Sequence, residues 1–422
     1  MTDNLADQID VQKLVSELGI EGACRTAEDY FAGLERTVLA KPFDSIVEAP
    51  RILSCFAQLI HGLDLLPGMT VLDFGAGSCW TSRFLTQLGL KVICLDVSKS
   101  ALQAGQELYR TQPVFGNQPQ PHFLQFNGER IELEDASVDR IFCFDAFHHV
   151  PNQAVIIKEL SRVLKQGGVA GFSEPGPDHS MSLQAQSEMR LYKVVENDID
   201  IRRLWNYGQE VGFTNLKIAV FNPFAAYVSL EEFETYLKTQ KVSSYFEATH
   251  TEMLNRRLFF LQKGESPDAL DSRQSKGLVA EIEIELLSTC IKDNAPIHAR
   301  VKVKNIGIAK WLGNTASNND VLPSSLFDKD GVLLRERLHK GTVHLGVHLH
   351  NASAELIERD YYRHALKPNF QSVLPGESVS FEMTMPAPSK GEYILEFDLV
   401  SEWICWFEAN GSRTIYAKVS VV

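Results

Sequence analysis

The sequence predicts two domains of different class: an α/β domain with a mostly parallel sheet and an N-terminal helical cap, then an all-β antiparallel sandwich. Three observations carry this. Residues 69–96 read as strand, glycine loop, helix and second strand. Strand and helix patterns keep alternating up to about residue 172, and a strand pair follows. Past residue 276 the apolar period changes from helical to strictly alternating. A chain of 422 residues has room for two to three domains.

Residues 1–65 predict the cap. Val11, Leu14, Val15 and Leu18 form one helical face, Thr26-Ala27-Glu28-Asp29 opens a second helix in capping style, and Ile46 to Leu63 carries a third.

Residues 66–263 predict the α/β domain. Met69 to Phe74 is a buried-strand run that breaks into Gly75-Ala76-Gly77-Ser78-Cys79-Trp80. Thr81 to Leu88 has helical spacing, with Phe84, Leu85 and Leu88 on one face, and Gly89 stops it. Lys91 to Leu95 is the second strand, closed by Asp96, a carboxylate placed to grip a ribose diol. The loop reads Asp-x-Gly-x-Gly, not the Gly-x-Gly-x-x-Gly of a dinucleotide site. Asp73 puts negative charge at the loop, which repels phosphate and suits an ammonium or sulfonium group. Further strands are expected at 122–126, 140–145 and 169–172. Pro151 is expected to start the helix carrying Val155, Ile156, Leu160, Val163 and Leu164, and Lys165-Gln166-Gly167-Gly168 to cap it. Phe213 to Val220 and Arg256 to Gln262 complete the sheet. The long stretch 175–208, with few strand signals, falls on the ligand side as a candidate lid.

These segments resemble the class I S-adenosylmethionine-dependent methyltransferases, which have a Rossmann-like fold. In that family the Asp-x-Gly-x-Gly loop carries the methionine end of the cofactor and the second-strand acid holds the ribose. The resemblance implies these roles for Asp73, Gly75, Gly77 and Asp96, and places Asn127-Gly128 against the adenine amine, with Asp145 at the end of the fourth strand. The implied cofactor is S-adenosyl-L-methionine, over which the family's preceding helices form a cap, and this makes Tyr30, Phe31 and Phe43 candidate lid residues, with helix packing an equal alternative. The sequence departs from the family at the third glycine position, where Cys79 stands. Asp145-Ala146-x-x-His149 is similar to the corresponding segment of phosphobase N-methyltransferases, whose His takes part in catalysis. His149 is therefore the first candidate base, His148 its neighbour in reserve and Glu174 the second choice, as a base or hydroxyl ligand. The alternatives are a His that packs on the cofactor, and a Glu174 that orders the amides of Gly176 to Asp178.

Residues 264–276 are polar and turn-rich, as a linker, and 277–422 hold the sandwich. Glu281 to Glu285, Ala299 to Lys304, Val379 to Met385 and Tyr393 to Phe397 alternate with a period of two. Asn305-Ile306-Gly307, Trp311, Pro375-Gly376-Glu377, Gly391-Glu392-Tyr393 and Trp406-Phe407 resemble a β-sandwich module of bacterial surface-polysaccharide enzymes and transporters. That resemblance implies a glycan link, with Trp311, Trp403 and Trp406 as possible sugar platforms and core packing the better reading of Trp406. His344, His348 and His350 lack a carboxylate or Cys at ligand spacing, and no metal is expected.

Composition narrows the class. The hydrophobic share of 44% and charged share of 23% are those of a globular protein, and a net charge of −13 argues against nucleic acid or anionic membrane as a partner. Seven scattered cysteines fit free thiols in a reducing compartment. No signal-peptide pattern or membrane-length apolar run is present, so the expectation is a cytoplasmic protein without membrane insertion. The functional expectation is a methyltransferase acting on a small-molecule or glycan acceptor, foremost by O-methylation of a sugar hydroxyl of a surface-glycan precursor. N-methylation of a small amine or amino sugar, and a glycan-binding scaffold with a silent catalytic domain, are the alternatives. A homo-oligomer is compatible with the sequence.

Overall fold

A computed structural model of the chain describes residues 8–34, 39–65, 68–116, 118–224, 227–239, 243–264, 270–313, 341–366 and 372–422. The chain divides into two compact units, Met1–Pro267 and Asp268–Val422.

The first unit is built on a seven-stranded sheet: β1 (Thr70–Phe74), β2 (Lys91–Asp96), β3 (His122–Gln125), β4 (Val138–Phe144), β5 (Leu164–Pro175), β6 (Phe213–Ile218) and β7 (Arg256–Lys263). Their spatial order is β3-β2-β1-β4-β5-β7-β6. The first five strands are parallel, and β7 runs antiparallel to both β5 and β6. The chain leaves β1 toward β2 on one side and returns as β4 on the other. The C-terminal ends of β1 and β4 therefore bound the crevice at which such sheets bind ligands.

Nine helices are described: α1 (Val11–Gly33), α2 (Ala49–Leu63), α3 (Trp80–Gln87), α4 (Lys99–Thr111), α5 (Gln153–Val163), α6 (Leu183–Tyr192), α7 (Ile201–Glu210), α8 (Leu230–Thr239) and α9 (Ser243–Asn255). Ile52, Phe56, Leu59 and Leu63 of α2 pack with Val71, Val92, Phe142 and Phe260 on one face of the sheet. Ile156, Ile157 and Leu160 of α5 pack with Leu72, Ile141 and Cys143 on the other. Both faces are covered, which is why these strands read as continuous apolar runs.

Several boundaries differ from the sequence expectation. The first two helices are one, α1, broken at Gly19 (φ 61°, ψ −171°) rather than opened at Thr26. The Thr26 hydroxyl instead donates to Ala23 O at 3.0 Å, a mid-helix bond and not a cap. The third begins at Ala49, after the exposed Ile46 and Val47. Pro151 sits in a turn, α5 starts two residues later, and the strand after it begins at Leu164, so Lys165 to Gly168 belong to β5. The 175–208 stretch is mostly helical, holding α6 and the start of α7.

The second unit is a sandwich. One sheet has three antiparallel strands, in order Ser378–Met385, Ile297–Asn305 and Ala280–Leu286. The other is centred on Val343–Asn351, Gly391–Ser401 and Ile415–Val421, with Leu356–Ala365 at one edge. Short Cys290–Ile291 joins the opposite edge in parallel. Ala299, Val301 and Val303 face the core between the sheets while Arg300, Lys302 and Lys304 face out. Within the expected linker, residues 265–269 lie outside the described residues, and Ser272 N–H bonds Lys310 O at 2.9 Å.

Trp311 is fully buried against Phe407 and cannot serve as a sugar platform. Trp406 is not in that core either. It lies on the opposite face of the sheet, over Gly346, where an added Cβ would come within 2.3 Å of its ring. Carboxylates do reach the histidine row, but from other strands: His350 Nε2 is 2.7 Å from Glu396 and His344 Nδ1 is 2.9 Å from Glu402.

Candidate active site

The loop after β1 is held from below. Gly75 and Ala76 donate their N–H groups to Leu95 O, each at 2.9 Å, which fastens the turn to the end of β2. Gly75 has φ +69°, and a Cβ there would sit 2.3 Å from Ala146 Cβ. The loops after β1 and β4 thus touch at a point only glycine allows. Gly77 donates to Asp96 Oδ2 at 2.8 Å, and Ser98 donates its N–H to Asp96 Oδ1 at 2.8 Å. Asp96 is buried, and that burial pushes its carboxyl up to about 6.

Asp73 does not face the loop opening. It is 1% exposed and accepts hydrogen bonds from Thr81 Oγ1 at 2.7 Å and Ser82 Oγ at 2.5 Å. It ties the loop to α3 from beneath, and burial raises it to about 6. Asn127, at the end of β3, accepts the N–H groups of Glu129 and Arg130 on its Oδ1, at 3.0 and 2.9 Å. That oxygen closes a turn, leaving the amide nitrogen as its donor toward a ligand. Gly128 lies under α1, where a Cβ would meet Cys24 Sγ at 2.7 Å.

The cap reaches this loop through two residues. The Phe31 ring stands over Gly77, 3.4 Å from where a Cβ would be, and Tyr30 packs edge-on to Phe31 and Tyr192. Phe43 is exposed and away from these contacts. Glu28 was not singled out by sequence, yet it accepts from Ser98 Oγ, Ser100 Oγ and Ser100 N–H at 2.7, 2.6 and 3.1 Å, fixing α1 to the start of α4.

At the ends of β4 and β5 the titratable groups converge. Asp145 has φ +49° and accepts Arg256 Nη2 at 2.6 Å. Burial alone would raise it, but Arg256 and His148 hold it below the usual carboxylate range. Glu174 is fully buried and accepts the N–H groups of Ala146 and Phe147 at 3.1 and 2.9 Å, and His148 Nδ1 at 2.7 Å. It therefore cannot reach an acceptor as a base. It orders a loop, but that of residues 146–148 rather than 176–178. His148 is buried with it, while His149 keeps 43% of its side chain exposed and bonds Val195 O through Nδ1 at 2.8 Å.

Glu196, between α6 and α7, was missed by the sequence reading. It is 1% exposed, with His179 Nε2 at 2.8 Å, His149 Nδ1 at 3.4 Å and His148 Nε2 at 3.6 Å. Burial would raise it, but the three imidazoles outweigh that and bring it to about 2. The only sequence signal was its place in the ligand-side stretch. Arg256 was likewise read as a strand residue alone.

Residues 72–172 match the family described as "Methyltransferase domain". Among curated proteins, the chain is 33% identical over 147 residues to a ubiquinone/menaquinone biosynthesis C-methyltransferase of Vibrio vulnificus, covering 32% of this chain and 55% of that one. It is 29% identical over 113 residues to a sarcosine/dimethylglycine N-methyltransferase of Halorhodospira halochloris, covering 26% of this chain and 38% of that one. The chain spans about half the length of the first of these relatives. Among solved structures, an S-adenosylmethionine-dependent methyltransferase from Mesorhizobium loti aligns with a TM-score of 0.39 and 16% identity, over 50% of this chain and 98% of that one.

Residues 72–172 thus combine a Rossmann-like sheet with a match to a methyltransferase domain, for which the expected cofactor is S-adenosylmethionine. The residues present fit that group. The glycine loop, which a Cβ at Gly75 would drive into Ala146, leads to a buried carboxylate at the end of β2, and it carries no cation to hold a phosphate. Among the described residues no helix is long and apolar enough to cross a membrane.

Proposed function

We propose that this chain is an S-adenosylmethionine-dependent methyltransferase that O-methylates a small acceptor, with a sugar hydroxyl of a surface-glycan precursor as the acceptor class. The observation that carries hydroxyl chemistry is the imidazole–carboxylate cluster at the end of β4, where His149 is half exposed beside the buried Glu196. A hydroxyl acceptor needs its proton drawn off as it attacks, and a free amine does not. The sugar part rests on the likeness of the second unit to surface-polysaccharide modules.

When bound, the cofactor supplies an electrophilic methyl group on a sulfonium. The chain's own residues do the rest. Asp96, with Gly77 and Ser98 fixing its two oxygens, receives the ribose hydroxyls. The β1–β4 loop contact sets the depth of the cradle, and Phe31 closes it above Gly77. Glu174 fixes the backbone of residues 146–148, so that the acceptor meets a preorganised cluster.

A second reading, N-methylation of a small amine, is favoured by the similarity to sarcosine/dimethylglycine N-methyltransferase. Radiolabelled methyl transfer to a panel of nucleotide sugars, small amines and quinols separates them. Under the proposal the label goes to hydroxyl acceptors, and His149→Ala keeps S-adenosylhomocysteine affinity while turnover falls about 10²–10⁴-fold. Label confined to amines or quinols, or full turnover in His149→Ala, refutes O-methylation.

A further inference from the structure

The cluster has a feature that acid–base chemistry leaves unexplained. His148 Nδ1 lies on Glu174 at 2.7 Å and His149 Nδ1 on Val195 O at 2.8 Å. A backbone carbonyl only accepts, so His149 Nδ1 carries a proton, and the same holds for His148 Nδ1 against an ionised Glu174. Each Nε2 is then left for a further partner, and that of His148 stands 3.6 Å from Glu196 Oε2. Glu196 in turn has one oxygen held by His179 at 2.8 Å, while its Oε1 is buried without a hydrogen-bond partner. A buried carboxylate oxygen without a partner calls for a cation beside it.

We propose that His148, His149 and Glu196 bind a divalent transition-metal ion, with one ligand atom from each side chain. One ligand atom from each of the three lies within 4.8 Å of the others, and no other group of three among the described residues meets that test. Two imidazoles and one carboxylate make a donor set for Zn²⁺ or Mn²⁺ and leave coordination positions open. Each ligand is also oriented from behind, His148 by Glu174, His149 by Val195 O and Glu196 by His179, as metal ligands are. This deepens the proposed function and rests on it for the role of the ion. An acceptor hydroxyl in an open position would be acidified by the metal, its proton leaving to solvent, and His149 would be a ligand rather than the base.

The test uses the full chain, stripped with a chelator and titrated calorimetrically with ZnSO₄ and with MnCl₂, and separately with S-adenosylhomocysteine. The expected result is one Zn²⁺ or Mn²⁺ per chain, with a Kd for Zn²⁺ below about 1 μM. His149→Ala, whose ring is half exposed, and Glu196→Gln should each weaken this at least about a hundredfold. Glu174→Gln, a residue that orients His148 and its loop without being a ligand, should weaken it about tenfold. His348→Ala, in the histidine row of the sandwich, should change nothing. No binding at 100 μM of either ion, or binding lost in His348→Ala and kept in His149→Ala and Glu196→Gln, overturns the site. If S-adenosylhomocysteine binds and neither ion does, the metal proposal falls alone. If an ion binds as described and S-adenosylhomocysteine does not, the methyltransferase reading falls and the metal site stands.

Discussion

Asp96→Ala tests the cofactor cradle at its best-defined point. The two carboxylate oxygens each hold one backbone N–H at 2.8 Å, from Gly77 and Ser98, and the residue is 6% exposed. Alanine would orphan both donors. Hydrogen bonds to a charged group contribute about 1.5–3 kcal/mol each, and water entering the vacated space recovers part of that, so a stability loss of about 2–3 kcal/mol is expected. Losing the ribose contact costs a similar amount in binding, a roughly ten- to hundredfold weaker Kd for S-adenosylhomocysteine. The pH dependence follows from burial, which puts the carboxyl at about 6 against an ordinary 3.8. Between those values the folded chain holds a proton that the unfolded chain has released. This group's contribution to stability is therefore greatest below about pH 4 and is lost as pH rises through 6. Affinity runs the other way, because only the ionised form accepts both hydroxyls. Calorimetric titrations from about pH 5 to 8, with urea unfolding of the ligand-free chain, read both quantities. Wild-type affinity should be level above about pH 7 and fall through 6, with a much shallower slope in Asp96→Ala. A variant that binds as tightly as wild type at neutral pH would refute the assignment.

Two further substitutions probe the scaffold. Gly75→Ala must fit a Cβ 2.3 Å from Ala146 Cβ at φ +69°, so a loss of about 2–4 kcal/mol is expected by urea unfolding; Gly77→Ala meets Phe31 at an ordinary 3.4 Å and should cost about 1 kcal/mol, and equal effects would contradict the loop contact. Arg256→Met leaves Asp145 without its cation; because 33% of the Asp145 side chain is exposed, the expected loss is about 2–3 kcal/mol rather than that of a fully buried pair, with part recovered in Arg256→Met/Asp145→Asn, and no recovery would mean the pair is not coupled.

What the sequence carried well was whatever has a period or a turn: the five parallel strands, the antiparallel closing pair, the alternating sandwich strands and the loop around Gly75 and Gly77. The positions of Asp96 and His149 on the ligand side of the sheet were legible because each ends or follows an apolar strand. Helix starts were less legible, since Thr26 and Pro151 carry start signals that the local backbone does not use. Glu174 was placed after the fifth strand, which in fact runs to Pro175, and was given the wrong amides, because its partner Ala146 lies 28 residues away in sequence. Glu196 and Arg256 were invisible for the same reason: a buried carboxylate between helices, and a guanidinium on an antiparallel strand, acquire meaning only from partners far along the chain.

The departure at the third glycine position shows how this chain meets a family constraint by another route. Cys79 occupies that place with φ +60°, a left-handed backbone that disfavours any side chain, and it is completely buried. Where the family loop uses glycine to let the helix start approach its neighbours, this chain carries a thiol and must find room for it. The room comes from Gly105 on α4, where an added Cβ would lie 2.4 Å from the Cys79 sulfur. Gly105 thus gives the thiol its space on the facing helix, at the cost of about 1 kcal/mol of helix propensity there. The thiol is no reactive centre: its hydrogen bond with Cys94, together with burial, pushes it well up and keeps it protonated. It packs in the core beside Leu85 and Val92, so the loop is anchored by an apolar contact as well as by the Leu95 carbonyl. The cradle geometry at Gly75 and Gly77 is thus kept by a repacked layer beneath it, and the ligand-facing side of the loop need not differ.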